Sequence, residues 1–194
     1  MDFQELTSLA KHRKQTFGRI VKCEMYRVDG GFLAITRMHD DFHDIALALL
    51  LDESYEVKDA AVSMERIPFP QCEEKPPETV KRLVGLRVYE RGVLKKVRQL
   101  IPRVEGCTHL FEMIESTFRA VFSGSYNVIG ASFEGALDLT LEEERQLWMS
   151  TPILADTCYS FSRDQVNEEV LRQAREKVER AKEVAKKIRV LREE

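Results

Sequence analysis

The segment "HDIALALLLDESYEVKDAAVSMERI", residues 43–67, decides the fold. Its first half carries a large aliphatic side chain at every second position, namely at Ile45, Leu47, Leu49 and Leu51. The positions between them are also apolar, Ala46, Ala48 and Leu50. A strand whose two faces are both apolar is covered on both sides, which predicts a central strand. The polar residues "DESY" then predict a turn into a second strand, so that the segment forms a β-hairpin.

A second hairpin precedes this segment. Residues 16–28, "TFGRIVKCEMYRV", and residues 32–38, "FLAITRM", favour strands, and Asp29, Gly30 and Gly31 separate them. Aspartate and glycine between two strand-forming runs are typical of a hairpin turn. The two hairpins together predict a small antiparallel sheet.

Helical patterns begin after the second hairpin, beyond a loop that contains four prolines and Cys72. Proline suits the first turn of a helix, so Pro77 predicts a short helix near residues 78–85. Residues 92–101 and 105–122 then place apolar side chains at helical spacing,. A sheet of two hairpins followed by packed helices is an α+β fold.

The helix that covers residues 105–122 is expected to end at Ser123 and Gly124,. The following residues 124–139, "GSYNVIGASFEGALDL", are glycine-rich and predict a connector,. In "TLEEERQLWM", Thr140 and Glu143 have the spacing of a capping box, which predicts the start of a short helix. The chain is expected to finish with a long charged helix over residues 163–192.

These elements predict three parts of the chain. Residues 1–123 form the α+β core domain, residues 124–162 form a glycine-rich connector and a short helix that complete the core, and residues 163–194 form the C-terminal charged helix. A heptad-like stripe runs along this last helix, made of Leu171, Ala174, Val178, Ala181, Ala185 and Ile188,. The stripe fits packing on the same domain, and it also fits pairing in a homodimer or with a protein partner.

Composition excludes several classes of protein. Hydrophobic residues make up 43% and charged residues 32% of the 194 residues, and the net charge is −3, so nothing marks a nucleic-acid binder,. The longest apolar run, residues 45–51, is shorter than the roughly 20 residues that a membrane helix needs,. The amino end lacks the basic-then-apolar order of a secretory signal. We therefore expect a cytoplasmic protein with reduced thiols and no membrane partner.

Two short stretches carry residues that can do chemistry. In "EGCTHLFEMI", residues 105–114, Cys107 and His109 stand at the start of a predicted helix, where the helix dipole favours a thiolate,. In "MHDDFHDI", residues 38–45, imidazoles and carboxylates crowd together just before the central strand. Such side chains suit a metal ion or acid-base chemistry.

The other cysteines give weaker signals. Cys72 lies in a loop and taken alone predicts an inert thiol. Cys23 shares a strand face with Val21 and Met25, so it is interpreted as a small buried apolar residue,. The local pattern around Cys158 decides nothing. No phosphate-binding glycine loop, Ser-His-Asp order or paired-carboxylate motif is present, and the question of an enzyme stays open.

The pieces "FHDIALALLLDES", "FPQC", "LVGL", "EGCTHLFEMI" and "ADTCYSF" resemble a bacterial family that is catalogued as domain of unknown function 2889. The resemblance runs from about residue 16 to residue 162, and "GCTHL" is its most specific element. The family implies a grouping and no mechanism.

A more distant resemblance is to iron-sulfur cluster assembly scaffolds of the NifU type, and it implies a NifU/SufE-like fold. Those scaffolds have a small antiparallel sheet followed by helices, with metal-ligating cysteines at three points of the chain. His43 and Asp44, then Cys72, then Cys107 with His109 follow the same order. The resemblance implies that these points meet at one end of the sheet.

The resemblance therefore predicts a metal site for zinc or iron, formed by His43, Asp44, Cys72, Cys107 and His109, with Cys158 as a further candidate. Cysteine, histidine and aspartate are ligands that suit either metal. Two alternatives stay open. Cys107 can act without metal as a persulfide relay, or the C-terminal helix can serve as a non-catalytic interaction module.

Overall fold

The computed structural model describes residues 1–102, 104–133, 138–150, 154–156 and 158–193. For residues 126, 127, 129–133 and 185–193 it describes the backbone alone. The chain divides into two compact units, Met1–Ser125 and Tyr126–Glu194.

A four-stranded antiparallel sheet forms the centre of the first unit. The strands follow one another in the order of the chain: β1 Arg19–Val28, β2 Gly31–Asp40, β3 Asp44–Asp52 and β4 Val57–Arg66. Both predicted hairpins are confirmed, and the strand with two apolar faces, β3, lies in the interior of the sheet next to β2. The predicted α+β class is also confirmed, because helices follow the sheet.

The turn between β1 and β2 sets the register of the first hairpin. Asp29 and Gly30 form the connection, with Gly30 at a φ of 79°, and Gly31 is the first residue of β2. Counting outward from this turn pairs Val28 with Gly31 and finally Arg19 with Asp40. The turn therefore places an arginine opposite an aspartate at the far end of the hairpin.

The helices of the first unit are short until α5. They are α1 Phe3–Ser8, α2 Gln71–Glu74, α3 Pro76–Thr79, a 3₁₀ helix Val80–Leu83, α4 Val93–Leu100 and the first part of α5, Thr108–Phe133. The sequence pattern missed α1, which is exposed along its length and begins with a capping box between Asp2 and Glu5,. The predicted helix near residues 78–85 is a turn of α-helix followed by the 3₁₀ helix.

One face of the sheet supplies the core of the first unit. Alternate residues of β2 and β3 are buried, and so are apolar residues of α4 and α5; the core includes Phe32, Met38, Ile45, Leu47, Leu49, Val97, Leu110, Met113 and Ile114. Burying one such side chain stabilises the fold by about 1.5–3 kcal/mol. Thr36 of β2 and Thr117 of α5 are also buried and share a hydrogen bond of 2.6 Å. This hydrogen bond joins α5 to β2.

The prediction that Ser123 and Gly124 end this helix is wrong, because α5 continues to Phe133. Glycine inside a helix costs only about 1 kcal/mol relative to alanine. A methyl group at Gly124 would lie 2.6 Å from the sulfur of Met25 in β1. Glycine therefore lets the helix approach the sheet closely, which a local pattern does not reveal. Residues 134–137 of the predicted connector lie outside the described residues.

The second unit contains α6, Leu141–Met149, and α7, Glu168–Glu193, with two 3₁₀ helices between them, Tyr159–Phe161 and Arg163–Gln165. The predicted capping box is confirmed, since the Thr140 side chain accepts from the amide of Glu143 and the Glu143 side chain accepts from the amide of Thr140. The C-terminal helix begins later than predicted, after the second 3₁₀ helix. Within the described residues, no helix is both long and apolar enough to cross a membrane.

The apolar stripe of α7 is only partly buried. Leu171 and Ala174 are buried and α7 packs on α6, whereas Val178 and Ala181 are half-buried. The predicted stripe positions 185 and 188 lie outside the residues whose side chains are described. Pairing of this helix with a second copy or with another protein stays a prediction.

Candidate thiol and histidine site

Residues from four elements meet at one end of the sheet. Arg19 begins β1 and Asp40 ends β2, and His43 lies in the turn before β3. Cys107 and His109 lie at the start of α5. Because antiparallel neighbours alternate in direction, the first residue of β1 and the last residue of β2 share an edge of the sheet. The pairing of Arg19 with Asp40 thus places the first residue of β1 beside the last residue of β2, near the start of α5.

Asp40 is the most strongly hydrogen-bonded side chain of this end, and its carboxylate has no exposed surface. Its Oδ2 accepts from Nε of Arg19 at 2.8 Å and lies 2.7 Å from Nη2 of the same guanidinium. Its Oδ1 accepts from the amides of Phe42 and His43 at 2.8 Å and 2.7 Å, and it lies 3.0 Å from Nδ1 of His43. Burial raises the pKa of Asp40, but these hydrogen bonds outweigh burial and hold that pKa well below its usual range,.

The two histidines of the site are in ring contact. The ring centres of His43 and His109 lie 4.1 Å apart, with the planes tilted by 52°. His43 is only 8% exposed, and its Nε2 has no hydrogen-bond partner in the part of the chain that the structure describes. An imidazole nitrogen whose lone pair accepts no hydrogen bond is available to a ligand or a proton.

Cys107 directly precedes α5, and its carbonyl oxygen accepts from the amide of Phe111 in the first turn. Its sulfur lies 3.8 Å from Nδ1 of His109, and the thiol is half-buried. The other ring nitrogen of His109, Nε2, lies 3.1 Å from Nη2 of Arg19. A guanidinium only donates, so Nε2 of His109 accepts and its Nδ1 carries the proton toward the sulfur.

His109 is held neutral by its surroundings. Burial lowers its pKa from the usual value, and the neighbouring His43 and Arg19 lower it further, while Glu112 and Asp40 raise it by less. At neutral pH the ring therefore accepts on one side and donates on the other.

Further polar groups support the site. Arg66, the last residue of β4, donates to the carbonyl oxygens of Asp40 at 2.6 Å and of His43 at 3.3 Å, which holds the turn between β2 and β3. Glu112 of α5 accepts from Nη1 of Arg19 at 3.2 Å. Arg19 thus bonds the carboxylate of the sheet and a carboxylate of the helix at once.

Asp44 and Cys72 lie apart from these contacts. Oδ2 of Asp44 lies 3.1 Å from Nδ1 of His39, its partner across β2 and β3. Because successive side chains of a strand point to opposite faces, this pair lies on the sheet face opposite that of Asp40. Cys72 is half-buried in α2, and its sulfur makes no hydrogen bond to any described residue. Cys158 is exposed and belongs to the second unit.

The described residues contain no group of three or more histidine, cysteine, aspartate and glutamate side chains that could hold a metal ion. All four cysteines are free thiols. A zinc or iron ion at His43, Asp44, Cys72, Cys107 and His109 therefore stays a prediction.

Sequence reasoning missed Arg19 and the central position of Asp40. A signal for both was present, because counting outward from the Asp29–Gly30 turn pairs these two residues. Opposite charges that face each other across two strands are a recognised stabilising pair. The contact between Arg19 and His109 had no local signal, since it joins residues that are far apart in the chain.

The family model described as protein of unknown function (DUF2889) matches residues 19–122. This span covers more than half of the chain. The chain belongs to this family. The match begins at Arg19 and ends inside α5, so the DUF2889 region contains every residue of the thiol and histidine site. It is shorter than the predicted resemblance, which reached residue 162. No curated protein and no solved structure matches the chain.

Proposed function

We propose that Cys107 is the reactive thiolate of a cytoplasmic sulfur relay, which accepts a sulfur atom as a persulfide and passes it to an acceptor. One observation supports this most strongly: Arg19 donates to Nε2 of His109, so that the Nδ1 proton of His109 points to the Cys107 sulfur. A thiolate accepts a hydrogen bond from an N–H group more strongly than a thiol does. The arrangement therefore favours the nucleophilic form of Cys107.

The start of α5 adds to this effect. Cys107 lies just before the first turn of a helix, where amide groups and the helix dipole favour negative charge,. The thiol is half-buried, so a small donor can reach it while water is partly excluded. The ring of His43, with its unpartnered Nε2, lies against His109 and offers an acceptor to an incoming S–H group.

The proposed step involves no net oxidation. The Cys107 thiolate attacks the outer sulfur of a donor persulfide, R–S–SH, which is a cysteine persulfide of a partner or of a small thiol. The S–S bond of the donor breaks, a new S–S bond joins Cys107 to the transferred SH group, and the donor leaves as the thiolate R–S⁻. An acceptor thiolate then takes the sulfur by the same exchange.

Iodoacetamide at neutral pH is expected to alkylate Cys107 about tenfold faster than Cys158, which is the exposed thiol of the chain. A tenfold ratio of rates corresponds to about 1.4 kcal/mol, the size of one hydrogen bond to a charged group, and here the Nδ1 proton of His109 makes that bond to the sulfur,. Peptide mass spectrometry after brief alkylation of the reduced protein measures both rates. His109→Ala should remove the advantage, and His12→Ala, at an exposed histidine, should not.

Glutathione persulfide then tests the relay itself. We expect one added sulfur atom on the Cys107 peptide before any other cysteine reacts, and no transfer in Cys107→Ser. Equal alkylation rates for Cys107 and Cys158, or sulfur spread evenly over the four cysteines, would contradict the proposal.

A second candidate function is binding of zinc or iron, which one distance favours. Two ligands that share a tetrahedral zinc at bond lengths of about 2.0–2.3 Å lie about 3.6 Å apart. The Cys107 sulfur and Nδ1 of His109 are 3.8 Å apart, and a metal ion bound between them would replace the Nδ1 proton,. In addition, Asp40 holds Nδ1 of His43, as carboxylates do for histidines that bind metals through the other nitrogen,. His43 would supply the third ligand through Nε2 after a small movement.

Cobalt(II) is the probe for this candidate, because its visible spectrum reports tetrahedral geometry and bonded thiolate. We expect about one cobalt or zinc ion per chain after anaerobic reconstitution, with thiolate-to-cobalt absorption. Cys107→Ala and His109→Ala should abolish this absorption, whereas Cys158→Ala should keep it. A reconstituted protein without metal would exclude this function and leave the relay untouched.

A further inference from the structure

The Asp40 carboxylate divides its two oxygens between two neighbours of the thiol. Its Oδ2 receives both donors of Arg19, Nε and Nη2. Its Oδ1 receives the amides of Phe42 and His43 and lies 3.0 Å from Nδ1 of His43. An ionised carboxylate only accepts hydrogen bonds, so each of these groups must present a proton to it.

The consequence for His43 is a fixed tautomer. Its Nδ1 carries the proton that Asp40 accepts, and its Nε2 keeps the lone pair,. In a free histidine side chain the opposite tautomer, with the proton on Nε2, prevails in water. Asp40 therefore selects the less common form of this ring.

The consequence for His109 passes through Arg19. Because Asp40 holds Nε and Nη2 of Arg19 in place, Nη2 is directed at Nε2 of His109 at 3.1 Å. Nε2 then keeps its lone pair, and the proton moves to Nδ1, which lies 3.8 Å from the Cys107 sulfur. The less common tautomer is thus selected in this ring as well, although Asp40 makes no direct hydrogen bond to it.

We propose that Asp40 is a positioning residue that sets the tautomers of both imidazoles of the site, of His43 directly and of His109 through Arg19. Its functional meaning rests on the proposed thiolate at Cys107, which needs the Nδ1 proton of His109. The tautomers themselves can be measured whether or not Cys107 is reactive. Failure of the one proposal is therefore distinguishable from failure of the other.

Nitrogen-15 NMR of the imidazole rings is the experiment. The full-length protein is labelled, reduced and treated with a chelator, and spectra are recorded at a pH where the imidazoles are neutral. We expect His43 and His109 to show the Nδ1–H pattern in two-bond correlation spectra, and exposed His12 to show mainly Nε2–H. Single histidine-to-glutamine variants assign the signals, including that of His39, which contacts Asp44.

Asp40→Asn separates the two effects. The amides of Phe42 and His43 need an acceptor at the Oδ1 position, so the asparagine oxygen is expected there and its NH₂ group faces Arg19. His43 should then keep its Nδ1 proton, while His109 loses the Nδ1–H pattern and Cys107 alkylation slows toward the rate of Cys158. Arg19→Gln should give the same result with the carboxylate intact, which guards against a folding defect in the first variant.

Glu112→Gln is the matched control, because it removes the other carboxylate that binds Arg19 and leaves Asp40 in place. We expect the tautomers of His43 and His109 to be unchanged in this variant. The proposal is overturned if His109 carries its proton on Nε2 in the unmodified protein, or if Asp40→Asn and Arg19→Gln both leave its pattern unchanged. It is also overturned if Glu112→Gln shifts the tautomer as much as they do.

Discussion

Asp40→Ala is expected to lower the free energy of unfolding by about 3 kcal/mol. The carboxylate has no exposed surface and accepts from two backbone amides, from His43 and twice from Arg19. Removing one partner of a buried ion pair leaves the other charge and its donors unpaired, which costs about 3–5 kcal/mol when burial is complete. Arg19 is 27% exposed, so water recovers part of this loss. Urea unfolding, followed by circular dichroism, measures the difference.

The neighbouring Asp41 provides the control. It is exposed and lies in the same turn, so Asp41→Ala should change stability by less than about 0.5 kcal/mol,. Similar losses for the two variants would show that the turn, and not the carboxylate of Asp40, carries the stability.

The difference in stability between the unmodified protein and Asp40→Ala should depend on pH in one direction. The folded pKa of Asp40 is held below its usual range, whereas an aspartate in the unfolded chain titrates near a pKa of about 3.9,. The unfolded state therefore binds a proton first as the pH falls. The stability that Asp40 contributes is present in full above about pH 5 and is lost as the pH falls below about 4 toward the folded pKa. The difference between unmodified protein and Asp40→Ala should shrink at pH 3, and a constant difference would contradict this account.

Much of the fold was predictable because strand signals are local. The alternation around Leu47 and the glycines after Asp29 predict two hairpins, and the sheet contains both. The end of α5 was not predictable from such patterns. Gly124 stays helical because the helix packs closely on Met25, a contact between residues that are far apart in the chain.

Part of the candidate site was also predictable from the sequence. Cys107 and His109 were found because both belong to one helix start, and the ring contact of His43 with His109 joins two of the predicted segments. Asp44 was included although neighbouring strand residues point to opposite faces, and it binds His39 instead,. Arg19 went unnoticed because its pairing with Asp40 requires counting outward from the Asp29–Gly30 turn, and because its contact with the distant His109 has no local signal.

Gly31→Ala is expected to destabilise the protein by about 3 kcal/mol. Gly31 lies at the end of β2 opposite Asp40. A methyl group there would lie 2.0 Å from the carbonyl oxygen of Leu51 and 2.8 Å from Cα of Asp52, both of them backbone atoms of β3. Backbone cannot yield as a flexible side chain does, so overpacking of this kind reaches the upper part of the usual range of about 1–3 kcal/mol. Gly30→Ala is the matched control. Gly30 has open space around it and a φ of 79°, so alanine should cost only about 1 kcal/mol,.

Together, the variants at the two ends of β2 separate stability from chemistry. The pairs between β2 and β3 extend from Gly31 with Asp52 to His39 with Asp44. In Gly31→Ala we expect the strand end near residue 31 to fray, while the remaining pairs keep the register of the two strands. Arg19 and Asp40 should then stay paired, and Cys107 should keep its alkylation rate in Gly31→Ala despite the lower stability. Asp40→Ala should lower both the free energy of unfolding and the alkylation rate of Cys107. If Gly31→Ala slows Cys107 as much as Asp40→Ala does, the slower reaction follows from lost stability, and Asp40 has no separate effect on the thiol.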